Sequence, residues 1–79
     1  MKDGFYIFTQ EKCPKCPPFK ELAKNFNDCY LIDCGTEEGM KMARLYGVQS
    51  TPFVIFIEDS KYTFSTNSLD TFKNKVLLY

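Results

Sequence analysis

Residues 5 to 18 read FYIFTQEKCPKCPP. Phe5 to Thr9 form a short, nearly continuous apolar and aromatic run, the pattern of a strand buried on both faces. A cysteine pair with two intervening residues, Cys13 and Cys16, follows at once, with Lys12 before it, Lys15 inside it and prolines at Pro14, Pro17 and Pro18. Such a pair can hold a metal, cycle between dithiol and disulfide, or sit in a core as two small apolar residues. What surrounds it must decide.

Downstream, Phe19, Leu22, Ala23 and Phe26 recur at i, i+3, i+4 and i+7, with Lys20, Glu21 and Lys24 between them, which predicts an amphipathic helix closed by Asn27 and Asp28. The spacing brings Cys13 to the start of this helix. Residues 29 to 33 (CYLID) read as a second strand. Thr36 caps a second helix with Glu37 and Glu38 in its first turn, Lys41 and Arg44 towards its end and Gly47 after it. Phe53 to Ile57 (FVIFI) is the most apolar run and predicts a central strand, preceded by Pro52. In Lys61 to Ser65 (KYTFS) the aromatics Tyr62 and Phe64 alternate at period two, which suits the second arm of a hairpin. Asn67 or Ser68 caps a last helix with Leu69, Phe72, Val76 and Tyr79 as its buried stripe. The order β-α-β-α-β-β-α implies an α/β fold: a parallel pair from the βαβ opening, an antiparallel hairpin at the end, and helices on both faces of a four-stranded mixed sheet.

Composition limits the functions such a domain can have. Residues 1 to 79 suffice for one small domain, and an apolar fraction of 44% with eight Phe and five Tyr is too rich for a disordered chain. Ten basic residues balance ten acidic ones, so no global field draws the protein to nucleic acid or an anionic membrane. The balance is uneven along the chain: residues 1–27 carry a net +2, residues 28–59 a net −4 and residues 60–79 a net +2, with the cysteine pair in the first basic part. Neither a signal peptide nor a membrane-length apolar segment is read in the sequence, and a cytoplasmic monomer is expected. In that compartment thiols stay reduced, and a CxxC serves catalysis or metal binding rather than a structural bridge. The chain has no His, which removes His-based triads and zinc hydrolases, and no glycine-rich phosphate loop.

Three features together resemble the thioredoxin superfamily: the strand running into CxxC, the CxxC at a helix start, and YGVQSTPFVIF at residues 46 to 56. The length, the CPxC form of the motif and the absence of an extra N-terminal strand and helix make the chain look most like a glutaredoxin. The resemblance implies a glutaredoxin-type thioredoxin-like fold over residues 1–79 and a thiol-disulfide oxidoreductase acting on protein disulfides. It implies that Cys13 and Cys16 are catalytic, that Pro52 is a cis-proline opposite Cys13, and that Thr51 exposes its backbone to an extended substrate. Lys12, Pro14 and Lys15 would flank that substrate. No bound cofactor is implied; the electrons would come from glutathione or from a flavoprotein thioredoxin reductase, and ribonucleotide reductase is one partner served by similar small redoxins.

Several positions depart from the family's patterns. Thioredoxins carry a buried acid six residues before the attacking cysteine and a tryptophan just before the motif; here these are Ile7 and Lys12. Glutathione-binding glutaredoxins carry a lysine three before the motif, a tyrosine inside it and a glycine pair before the last helix. This chain has Gln10, Lys15 and STNSLD, in which Ser68 and Asp70 remain to hold a γ-glutamyl group.

The chemistry expected of the pair follows from thiolate reactivity. A helix start with free N–H groups, together with Lys12 and Lys15, favours the Cys13 thiolate, while Cys16, one turn further in, keeps its proton. A non-catalytic metal-binding or metal-delivery module is the competing reading, since the four cysteines run C-x2-C-x12-C-x4-C. Against it, Cys29 and Cys34 bracket a strand and should point to opposite faces. Cys34, at the edge shared with the motif, is a candidate extra redox thiol. Pro17 is expected to be tolerated in the first helical turn and Pro18 to break its regularity.

Overall fold

The computed structural model describes residues 2–79. Its elements are β1 (Gly4–Thr9), α1 (Cys16–Ala23), β2 (Cys29–Asp33), α2 (Glu37–Leu45), β3 (Phe53–Glu58), β4 (Lys61–Thr66) and α3 (Leu69–Leu78). The sheet order is β2-β1-β3-β4, with β1 parallel to β2 and antiparallel to β3, and β3 antiparallel to β4. This is the expected α/β order and the expected mixed sheet.

The two continuous apolar runs are continuous because both faces of the sheet are covered. Phe5 and Ile7 of β1 and Val54 and Phe56 of β3 face a layer made by Phe19 and Ala23 of α1 and Phe72 and Val76 of α3. Their alternates, Tyr6, Phe8, Ile55 and Ile57, face Ala43 of α2. With side chains alternating at period two, a strand sandwiched this way has no solvent face to fill with polar residues. Phe5 stacks on Phe56 with ring centroids 4.5 Å apart, and Phe19 on Phe72 at 5.9 Å, so aromatic rings tie the sheet and both helices into one layer.

Three features differ from the sequence expectations. The first helix starts at Cys16, not Cys13, with Lys15 as its N-cap, and it closes at Ala23. Phe26 still packs on the core because Asn25 and Phe26 donate to the carbonyls three residues back, Leu22 and Ala23, and this tighter turn carries the apolar stripe past the end of the regular helix.

Pro18 causes no irregularity. With the helix beginning at Cys16, Pro17 and Pro18 stand at its second and third positions, where N–H groups have no intrahelical partner, so neither removes a bond.

Tyr62 and Phe64 do not share a face. The register passes from Phe56↔Phe64 to Ile57↔Tyr62, so Thr63 is an extra residue at a β-bulge and the period-two pattern is inverted there. Phe64 packs on the α1/α3 layer, while Tyr62 lies beside Tyr46 on the other face, at 5.9 Å between centroids.

The caps follow the sequence. Thr36 Oγ1 accepts from the Gly39 N–H at 3.0 Å and donates to the Asp33 carbonyl at 2.8 Å, which fixes the entry to α2. Ser68 Oγ accepts from the Thr71 N–H at 3.3 Å at the start of α3. Gly47 follows α2 with φ of 70°, the left-handed conformation that ends helices.

Candidate active site

β1, α1 and the loop before β3 deliver the site. β1 ends at Thr9, and the chain turns twice: the Cys13 N–H donates to the Gln10 carbonyl at 3.2 Å, and the Cys16 N–H to the Cys13 carbonyl at 3.4 Å. These turns bring the Cα atoms of Cys13 and Cys16 to 5.3 Å, within the usual range for a bridged pair, and the two sulfurs form a disulfide. The partners differ in exposure. Cys13 is half-buried in the loop, whereas Cys16, at the first position of α1, has 0% of its surface exposed.

The helix terminus offers fewer donors than the sequence reading assumed. Of the four N–H positions that open α1, two are prolines, and Cys16 donates to the Cys13 carbonyl. That leaves Lys15 as the one further main-chain donor there. Positive charge therefore comes mainly from the side chains of Lys12 and Lys15, both exposed and without an ion pair among the described residues.

The Thr51–Pro52 peptide bond is cis. Ser50, Thr51 and Pro52 form one wall of an open groove of about 490 Å³; Pro14, Lys15, Pro18 and Phe19 form the other, and Asn67 and Leu69 close its end. Four of the anticipated substrate-side residues, Pro14, Lys15, Thr51 and Pro52, thus meet in one place, while Lys12 lies outside the lining. Ser50, Asn67 and Leu69 were not anticipated. Ser50 could have been found from its position next to Thr51-Pro52; nothing in the sequence near residues 67 to 69 marks them as neighbours of residues 14 to 18.

A second hollow of about 240 Å³ lies on the other side of the same loop, sharing Ser50 and Thr51 and lined also by Gln10, Cys34, Met40 and Arg44. Cys34 is buried, its N–H donates to the Thr9 carbonyl at 2.8 Å, and its thiol is pushed up by burial and then by Asp33. Cys29 packs on the α1/α3 layer and Cys34 on the α2 layer, so the two point to opposite faces of the sheet. Burial, with Asp28 adding to it, raises the Cys29 thiol to about 11. Among the described residues no three Cys, Asp or Glu side chains gather as a metal site.

Ile7, where thioredoxins carry a buried acid, is wholly buried in the α1/α3 layer. Thr9 and Tyr6, both hydroxyl-bearing, are buried and no Asp or Glu is buried among the described residues, so no carboxylate stands inside the protein to take the proton of Cys16.

No known family's sequence profile matches the chain, and no curated protein matches it in sequence. Solved structures do match in shape. Thioredoxin 1 from Thermosipho africanus TCF52B superposes with a TM-score of 0.72 at 24% identity, over 96% of this chain and 92% of that one. A Schistosoma mansoni thioredoxin pre-protein in its reduced form gives 0.73 at 21% identity, over 99% and 81%. The C-terminal domain of Neisseria meningitidis DsbD in its oxidised form gives 0.70 at 17%, over 98% and 79%. The chain has the thioredoxin fold.

Proposed function

We propose that the protein is a thiol-disulfide oxidoreductase in which Cys13 attacks and Cys16 resolves. The observation that carries this reading is the unequal exposure of the bridged pair, Cys13 half-exposed in the loop next to Pro14 and Cys16 at 0% exposure at the head of α1. An incoming disulfide can reach only one of the two sulfurs.

In the reduced protein, the Cys13 thiolate forms a bond to one sulfur of a partner disulfide, whose other sulfur leaves as a thiolate and takes up a proton. Cys16 then loses its proton to solvent and attacks Cys13, which releases the partner's second thiol. Two electrons pass to the partner, and the Cys13–Cys16 disulfide remains. With Ile7 in place of an internal base, the Cys16 proton has no buried carboxylate to go to and passes to solvent. Lys12, Lys15 and the α1 dipole favour the attacking thiolate.

The cycle closes when a donor reduces the bridge. Glutathione and a flavoprotein thioredoxin reductase using NADPH are the two candidates. The Ser68 hydroxyl oxygen already accepts from Thr71, and no glycine pair opens the backbone before α3, which favours the flavoprotein. Pro14, Lys15, Thr51 and Pro52 would contact the partner, an oxidised protein such as ribonucleotide reductase, in a cytoplasmic setting and as a monomer. No helix among the described residues is long and apolar enough to cross a membrane.

Two variants test the assignment. Cys13→Ser should abolish reduction of a protein disulfide such as insulin's, and Cys16→Ser should accumulate a mixed disulfide at Cys13. Reduction at the native rate by Cys13→Ser would overturn it. Supplying the oxidised protein with glutathione, or separately with thioredoxin reductase and NADPH, identifies the donor.

A further inference from the structure

The two hollows on either side of the Ser50-Thr51 loop carry charge of one sign only. Lys15 is the single charged residue lining the larger, and Arg44 the single charged residue lining the smaller. Neither hollow has a carboxylate in its wall. Glu11 and Asp33 line a different depression, with Lys20, and Asp33 reaches the smaller hollow only through its charge on the Cys34 thiol. Arg44 is exposed and its guanidinium donates to the Met40 sulfur at 3.5 Å; among the described residues Arg44, Lys12 and Lys15 make no ion pair. This contrasts with Lys41, one turn from Arg44, which is paired with Glu37.

From this arrangement we infer that the groove selects protein disulfides embedded in acidic, extended segments, with a carboxylate on each side of the reacting cysteine, one met by Lys15 and the other by Arg44. The inference rests on the oxidoreductase reading and names its substrate class. Uncompensated cations in a chain of zero net charge are a local field, and such a field selects among partners and accelerates their encounter more than it adds affinity. A small disulfide meets one hollow at a time; a chain crossing the Ser50-Thr51 loop meets both.

The test uses the pre-reduced protein in single turnover against three disulfide-linked peptides of identical length that carry Asp, Asn or Lys on both sides of the cysteine. The Asp peptide should react fastest and the Lys peptide slowest, by roughly two- to five-fold per cation engaged, the range given by exposed ion pairs. The spread should collapse at about 1 M salt, where screening acts within roughly 3 Å. Lys15→Gln and Arg44→Gln should each shrink the Asp-to-Asn ratio, and the double variant should bring it near one. Equal rates for all three peptides overturn charge selection and leave the oxidoreductase reading standing. If none is reduced, both fall. Should the ratio respond to Lys15→Gln and not to Arg44→Gln, the second hollow is no part of the site and the two-sided recognition is wrong.

Discussion

Cys16 is enclosed at the first position of α1 while Cys13, bonded to it, remains half-exposed in the preceding loop. The enclosure is a consequence of where the helix begins. Because Pro17 and Pro18 occupy the second and third positions, the apolar stripe starts with Cys16 and continues through Phe19 and Ala23, so one thiol belongs to the core and the other to the loop.

The four thiols should accordingly separate in an alkylation experiment. After reduction, a brief pulse of iodoacetamide near neutral pH should label Cys13 first. Cys16 should resist because it is enclosed, and Cys34 and Cys29 because burial raises their pKa, that of Cys29 to about 11. Peptide mass spectrometry reads the order. Labelling of Cys34 ahead of Cys13 would make Cys34 the reactive thiol and reverse the roles.

Alkaline stability should report on Cys29. Its thiol keeps its proton in the folded protein up to about 11, while an unfolded thiol releases it near about 8.5. Between those values the unfolded state binds fewer protons, so the stabilisation that is complete below the unfolded pKa is lost as pH rises through the folded one. Urea midpoints should fall across this window, and Cys29→Ala should flatten the slope. It should not abolish it, since the Cys34 thiol and the Tyr6 hydroxyl are also raised, Tyr6 by burial first and then by Tyr30.

Most of the fold was legible because its signals are local. The caps at Thr36 and Ser68, the runs FYIFT and FVIFI, and the helical stripes each depend on residues close in sequence. Two failures have a common physical form. The Thr63 bulge is set by how β4 meets β3, and no residue type in KYTFS marks it. The motif suggests a helix start at Cys13, but α1 begins three residues later, at Cys16, where Pro17 and Pro18 fall on positions that need no N–H. At the site, Pro14, Lys15, Thr51 and Pro52 can be named from the sequence, whereas Arg44 shows there only as a basic residue towards the end of α2. Its place beside Ser50 and Thr51 depends on how α2 packs against the loop, which is a tertiary fact.

Two glycines should resist alanine for different physical reasons. A Cβ on Gly39 would collide with the Asp33 carbonyl and meet Thr36 Oγ1 at 3.0 Å, so α2 would have to move off the end of β2. Overpacking against backbone costs about 1–3 kcal/mol, which outweighs the roughly 1 kcal/mol that alanine gains over glycine inside a helix. Gly47 has open space around it but φ of 70°, so Gly47→Ala should cost only the left-handed penalty, about 1–2 kcal/mol. Native-state hydrogen exchange should show the amides of residues 39 and 40 losing protection in Gly39→Ala, as α2 and its cap shift, and keeping it in Gly47→Ala.

The prolines of the motif offer the sharpest check on where α1 begins. If Pro18 stands at the third helical position, its missing N–H costs nothing, and Pro18→Ala should change stability by no more than about 1 kcal/mol, through the entropy of the unfolded chain alone. Lys20 stands two residues further in, where its N–H reaches back to the Cys16 carbonyl in a regular helix. Lys20→Pro should therefore remove that bond, set the ring against the same carbonyl and cost about 3 kcal/mol or more, enough to disturb the enclosure of Cys16. Urea midpoints of the two variants decide between a helix that starts at Cys16 and one that starts later. A gain of several kcal/mol in Pro18→Ala would mean an earlier start, with the ring breaking a helix already under way, and a tolerated Lys20→Pro a later one; either would move the start of α1 and with it the burial that distinguishes the two thiols.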